Sequence, residues 1–463
     1  MGNESRLEAL TTEKTEFRRE IGVFGGVSII GGIMIGSGIF YLGSYVLMRT
    51  GMSQGLSILA WILGGIVSLL GGLCYAELGA SIPRAGGGTI YLNEAYHPIV
   101  GFMNGFTSLI IGSPGSIAAI AIALPTALRA FTPVSDVQIK VIAIALIVLL
   151  TVWNYLGVRP GSRLQNASMI AKLIPIVIIL VASLALGRET PNLALEPASG
   201  PVPIGKLISM VSFAVIATLW AYEGWTNLNN VAEEIKNPRR NLPLAIIIAI
   251  GGITILYTLF NFGIYRVLPF DQIQDFIDSG NYYLGTEAAK ATLGGTGAVI
   301  VSLGMLLSMF GSLNGCVLAF PRTYYAMAYE GHFFSIFKQL HPRYRIPTWG
   351  LISQAVISII LVLLRNLDQL TSLVIFTSIF FNFLIVVAVM ILRRKYPTIE
   401  RPFKIWGYPF TVIISALLFL GLVINTLIED PVSAVIGLIV PAVGAVVYLI
   451  FDRIRKNEAA ARA

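Results

Sequence analysis

Runs of apolar residues long enough to cross a lipid bilayer follow one another almost from end to end of this 463-residue chain. A helix needs about 20 mostly apolar residues to span the hydrocarbon layer, and it satisfies its own backbone hydrogen bonds there. Read between charged and proline-rich breaks, the runs fall near 22–48, 54–80, 99–128, 138–156, 164–186, 207–231, 242–268, 292–328, 348–364, 370–392, 408–428 and 432–451. Charged residues make up 12% of the chain, against roughly a quarter in a soluble protein. No room remains for a sizeable soluble domain. The expected fold class is an all-α membrane protein of about 12 transmembrane helices.

Charge sets the expected orientation. Of the 32 Lys and Arg residues, 23 fall in segments on the same side as the N-terminus, 8 fall in the opposite loops, and Lys172 lies inside a span. The positive-inside rule then puts both termini in the cytoplasm of a multi-pass protein of the cell (plasma) membrane. The same rule accounts for the net charge of +8, and so apolar a chain is no candidate for nucleic-acid binding. The polar N-terminal segment leads directly into the first long apolar run, so no cleavable signal is expected. Cys74 and Cys316 both fall in apolar runs, which implies neither a disulfide framework nor a metal centre. No cofactor is expected.

Two spans are interrupted midway by small residues, the first at Gly36-Ser37-Gly38 and the sixth around Tyr222-Glu223-Gly224. Each opens a unit of five spans, about 20–186 and 207–394. Because five is odd, the second unit runs through the membrane inverted relative to the first. Matching interruptions in inverted halves point to a central binding site. A polar segment (1–19) precedes the repeats, two further helices (406–452) follow them, and a polar tail (453–463) ends the chain.

Where a helix unwinds inside the bilayer, its freed N–H and C=O groups need partners that lipid cannot supply. A zwitterion meets that need. The half-helix starting after Gly36 and Gly38 directs N–H groups and a positive dipole end at the break, which suits a carboxylate. The carbonyls of Ile33 and Met34, and those near Trp220 and Tyr222, suit an ammonium. The glycines serve equally well for close helix packing, and the residues alone leave both readings standing.

The strings GGIMIGSGIF (31–40), YAELGASIPRAGG (75–87), LWAYEGWTNLNNVAEEIKNPRRNLP (219–243), YEGHFFSIFKQLHP (329–342) and RRKYPTIERPFKIWGYP (393–409) resemble the L-type amino acid transporter branch of the amino acid–polyamine–organocation superfamily. The resemblance covers residues from about 20 to 410. It implies the 5+5 inverted-repeat fold of leucine-type transporters, alternating access, and sodium-independent exchange of amino acids. Family substrate contacts carry over to Ile33, Ser37, Gly38 and Ile39 in the first span and to Trp220, Ala221 and Glu223 in the sixth. Trp220 stands where the family places an aromatic lid. Asn382 matches a position facing the substrate side chain, with Ser308, Ser312 and Asn314 as weaker candidates for that wall, although polar residues in spans also simply bond across helix interfaces.

Lys172 matches a family lysine in the fifth span, at a place where sodium-coupled relatives hold a metal ion between the first and eighth helices. Intramembrane charge is costly, and Lys172 lies too deep to snorkel comfortably, so the expected role is an ion surrogate working with Ser308 and Ser312. For Glu223 the sequence leaves three roles open: recognition of a cationic side chain, capping of the helix break, or carriage of a coupling proton. The last makes a proton-coupled amino acid or polyamine symporter the alternative to an exchanger. Near the helix ends, Glu77, Arg84, Glu233, Glu234, Lys236, Arg239 and Arg240 are either gate ion pairs or a solvated face. Animal members carry a partner-bonding cysteine after the third span, but the loop here reads RAFTPVSD (129–136), so no disulfide-linked heavy chain is expected. A channel would line a continuous polar pore, and an enzyme would need reactive groups at depth; His97, His332 and His341 sit near helix ends instead.

Overall fold

The computed structural model describes residues 3–36, 38–128, 133–331, 333–365, 367–429 and 431–462. Its helices in chain order begin with α1 (Asn3–Thr11), α2 (Val23–Met34), α3 (Gly38–Arg49), α4 (Gln54–Ser81), α5 (Gly88–Ala95), α6 (Pro98–Thr107), α7 (Ser113–Ala127), α8 (Asp136–Tyr155), α9 (Val158–Leu186) and α10 (Ile204–Ala221). They continue with α11 (Asn227–Asn230), α12 (Pro238–Val267), α13 (Phe270–Asp278), α14 (Leu284–Ala319), α15 (Pro321–Tyr329), α16 (Thr348–Leu364), α17 (Leu367–Lys395), α18 (Phe410–Glu429) and α19 (Pro431–Arg462). Among the described residues the only β pairings are two isolated bridges, Ile21 with Ile235 and Leu340 with Pro347. Among the described residues ten helical stretches are long and apolar enough to cross a bilayer, and α2 with α3, bent by 51° relative to each other, makes an eleventh. Apolar α16, at 17 residues, is shorter.

Local chemistry sets the helix starts. The Ser53 hydroxyl accepts from the Leu56 N–H at the head of α4, and Ser135 with Gln138 forms a reciprocal capping box at the head of α8. A π-helical turn, Ser108–Gly112, joins α6 to α7 within one long span. The eighth and sixth expected spans are not continuous helices. The eighth is interrupted at Gly294 (φ 64°) and again where α15 restarts at Pro321, which has no N–H to continue the ladder of α14. The sixth stops as a helix at Ala221.

Packing then divides the bundle. A Cβ on Gly65 would sit 2.2 Å from Thr254, and one on Gly72 would sit 2.5 Å from Ile250. These glycines let the backbones of α4 and α12 approach closely, as small residues do between membrane helices. The outer helices show apolar side chains to the lipid, among them Val141, Val148 and Val152 on α8 and Ile170, Ile174 and Val181 on α9. The two broken segments, α2/α3 and α10/α11, pack on α4, α12 and α14.

Candidate functional site

The α2 helix ends at Met34, and its last carbonyls find partners on α9 and α14. The Lys172 ammonium is fully buried and donates to the carbonyls of Gly32 (2.7 Å), Ile35 (2.6 Å) and Ser308 (3.2 Å). An ammonium has three N–H donors, so these contacts use all of them. The Ser308 hydroxyl donates to Ile35 and Gly36, and that of Ser312 donates to Gly32 at 2.7 Å. Gly311 makes room for the lysine stem, since a Cβ there would meet its Cε at 3.1 Å. From α9 and α14 the negative end of α2 is thus held by one cation and two hydroxyls.

The second break starts where α10 ends. Gly224 adopts φ 129°, and a Cβ on it would lie 2.6 Å from the Ile33 side chain, so glycine serves here both the backbone turn and the close approach of the two breaks. Tyr257 of α12 reaches both, its hydroxyl lying within hydrogen-bond distance of the Met34 and Ala221 carbonyls.

Between the breaks lies a cavity of about 700 Å³. Ile33, Met34, Gly36, Gly38, Trp220, Ala221, Glu223, Gly224, Ser312 and Asn382 all line it. Four of its polar lining residues form one hydrogen-bonded chain. The Tyr75 hydroxyl donates to Asn382 Oδ1 (2.7 Å), Asn382 Nδ2 donates to Ser378 (3.4 Å), and the Ser378 hydroxyl donates to Glu223 Oε1 (3.0 Å). Every donor in this chain points toward Glu223, so the bonds polarise one another in favour of the carboxylate. No cation among the described residues pairs with Glu223.

Several expected positions fall elsewhere. Ser37 lies outside the described residues, as does His332. Ile39 is buried away from the cavity. Tyr222 turns its hydroxyl to the Trp61 carbonyl at 2.9 Å and does not line the cavity either. Asn314 is not part of the wall: it is buried between α8 and α9, bonded to Asn154, the Gly161 carbonyl and Gln165. Two positions beyond Ser312 is about 200° around a helix, which faces it the other way. Ser308 likewise serves the α2 carbonyls and does not line the cavity. Tyr75, Tyr257 and Ser378 were not singled out from sequence, although Ser378 stands four residues before Asn382 and shares its helix face.

The face that carries the N-terminus is sealed by buried ion pairs. Arg322 reaches Glu234 at 2.6 Å, Arg84 reaches Glu233 at 3.2 Å, and Arg393 reaches Glu77 at 2.5 Å. Glu77, Glu233 and Glu234 are buried, which removes the solvated-face reading for them. Lys236 is exposed, and Arg239 pairs with Glu13 and Glu400 near the surface. The N-terminal segment crosses this layer. Arg6 of α1 bridges Glu94 and Glu330, Thr15 donates to Glu233, and Arg19 donates to the Ile235 carbonyl. These carboxylates hold the Arg6 guanidinium above its usual pKa despite the opposing effect of burial.

Two interrupted helices facing each other across a mid-bundle cavity, with one face sealed, define a membrane carrier for a small solute. The amino acid permease family model matches residues 21–451. The serine/threonine exchanger SteT of Bacillus subtilis is 32% identical over 94% of this chain and 98% of its own length. The human b(0,+)-type amino acid transporter 1 is 31% identical over 93% and 87% of the two chains, and the human cystine/glutamate transporter 31% over 95% and 86%. The chain belongs to the amino acid permease family, as a bacterial-type member of its L-type amino acid transporter branch.

Proposed function

We propose that the protein is a sodium-independent amino acid antiporter that exchanges neutral, and through Glu223 cationic, L-amino acids by alternating access. The observation that carries this reading is Lys172. Its ammonium occupies all three of its donors on carbonyls of α2 and α14, at the place where the resemblance puts a releasable ion in coupled carriers. A covalently attached cation cannot leave with the substrate, so no ion gradient drives a return step. Exchange is the natural cycle.

The substrate carboxylate would meet the N-terminal N–H groups of α3 at Gly38, with its ammonium between the carbonyl ends of α2 and α10. Trp220, half-buried on the last turn of α10, would cover it. Glu223 lines the same cavity without a cationic partner among the described residues, and it would take a side-chain amine. That same feature favours a second reading, in which Glu223 carries a proton and the protein is a proton-coupled amino acid or polyamine symporter.

In this reading α16 completes twelve spans, the units 20–186 and 207–394 form the inverted repeat, and both termini are cytoplasmic in the cell membrane. The carrier works without a heavy chain, in keeping with two cysteines that are both buried and free. Purified protein in liposomes preloaded with one amino acid and challenged with a panel of others tests it. Uptake should require internal substrate and be unchanged when choline replaces sodium. Equal uptake into empty and preloaded liposomes, or uptake that follows an imposed pH gradient, overturns exchange.

A further inference from the structure

The cavity continues past Trp220 toward the face opposite the N-terminus, where Arg49, Phe213, Tyr282 and Tyr283 line it. Arg49 is the last residue of α3. Its guanidinium lies 3.9 Å over the Phe213 ring and spends one N–H on the Phe213 carbonyl at 3.0 Å. Among the described residues no carboxylate pairs with it. The arginines of the sealed face behave differently: Arg6, Arg84, Arg322 and Arg393 each hold a glutamate. The mouth around Arg49 is also built rather than loose. The Ser44 hydroxyl donates to the Tyr282 carbonyl at 2.6 Å, and the Tyr282 ring packs on Tyr45 with centroids 4.9 Å apart.

An arginine at a helix C-terminus has a bland role, complementing the helix dipole or reaching lipid phosphate. Arg49 instead borders the cavity, with one guanidinium face covered by Phe213 and its remaining donors available for a planar, bidentate acceptor. A carboxylate fits that description. The central carboxylate position at Gly38 is on the same helix, eleven residues away, or about 16 Å along the axis. No single short amino acid spans both.

We infer that Arg49, backed by Phe213 and framed by Tyr45, Tyr282 and Tyr283, forms a second, waiting station for the carboxylate of an incoming amino acid, separate from the site between the helix breaks. The inference rests on the transport reading for its ligand class. It adds that α3 offers one carboxylate position at each end, so that substrate is captured at the mouth before it passes Trp220.

The test is exchange by liposomes holding a single protein orientation, with the substrate concentration varied on each face in turn, together with equilibrium binding of radiolabelled L-serine, L-leucine and L-lysine to the solubilised protein. Arg49→Gln should raise KM about tenfold on the vestibule face, as expected for losing a charged hydrogen bond. The maximal rate and the KM on the opposite face should stay near wild type. Arg49→Lys should recover part of the loss, and Phe213→Leu, which removes only the stacking ring, should change KM less than Arg49→Gln. Bound ligand should fall from two per chain to one in Arg49→Gln. An unchanged vestibule-face KM, an equal rise on both faces, or one ligand per chain in the wild type overturns the second station. Absence of exchange by the wild type with every amino acid overturns the transport reading instead, and the binding count still decides the station.

Discussion

The Tyr257 hydroxyl lies 2.8 Å from the carbonyl oxygen of Met34 and 3.2 Å from that of Ala221. One hydroxyl has one proton to give, so the two half-helix ends share a single donor from α12. Movement at either break therefore changes the bonding at the other. Tyr257→Phe keeps the ring between Trp61 and Tyr222 but takes this donor from the Ala221 carbonyl and leaves that of Met34 with the Gly36 N–H alone, at a cost of about 1–3 kcal/mol. Exchange should slow about tenfold or more, with a lowered melting temperature in detergent. A variant exchanging at the wild-type rate would show that the breaks move independently.

Lys172→Met retains most of the side-chain volume and removes the charge. The carbonyls of Gly32, Ile35 and Ser308 then face each other without a cation. The variant should still purify as a folded protein but lose at least about a hundredfold in exchange, since breaking a buried charged contact costs several kcal/mol. Sodium up to high concentration should not restore it. Full activity in Lys172→Met would assign the lysine to packing alone.

Glu223→Gln should abolish competition by lysine and ornithine while exchange of small neutral amino acids persists. Ser378→Ala, which removes the donor to Glu223 Oε1, should weaken cation competition only partly, by about 1 kcal/mol or roughly fivefold. Competition assays against labelled L-serine read both. Uniform loss of all substrates in Glu223→Gln would instead make the carboxylate a cap for the break, and loss of pH dependence would make it a proton carrier.

Gly38→Leu tests the carboxylate position directly. Even a Cβ there stands 3.0 Å from Leu42 and 3.3 Å from the Cβ of Ala221, so a longer side chain must enter the space between the breaks. Binding and exchange should both disappear in protein that remains soluble in detergent. Retained binding would move the carboxylate elsewhere in the cavity.

Much of this was legible in the sequence, for physical reasons that differ by element. Membrane spans announce themselves because lipid tolerates little except apolar side chains on closed helices. The breaks were visible as Gly36 and Gly38 in the first span and Gly224 in the sixth, and Lys172 stood out because buried charge is rare. Side-chain direction was harder. Ser312 and Asn314 are close in sequence yet face opposite ways, and a count of 3.6 residues per turn would have separated them. Tyr257 gave no local signal, because a tyrosine in an apolar run looks the same whether its hydroxyl meets a backbone carbonyl or a serine, as that of Tyr265 meets Ser57. Arg49 reads from sequence as an ordinary charge at a span end; only the fold shows it over Phe213.

Among the described residues the segment before α2 lines no part of the cavity, yet Arg6, Thr15 and Arg19 fasten α5, the residue that follows α15 and the 232–235 turn together across the sealed face. Opening that face requires those contacts to part. The barrier to opening is therefore written partly in about twenty residues that never meet a substrate. Substitutions there are expected to retune turnover while leaving selectivity alone, because speed and choice of cargo are held by different parts of the chain.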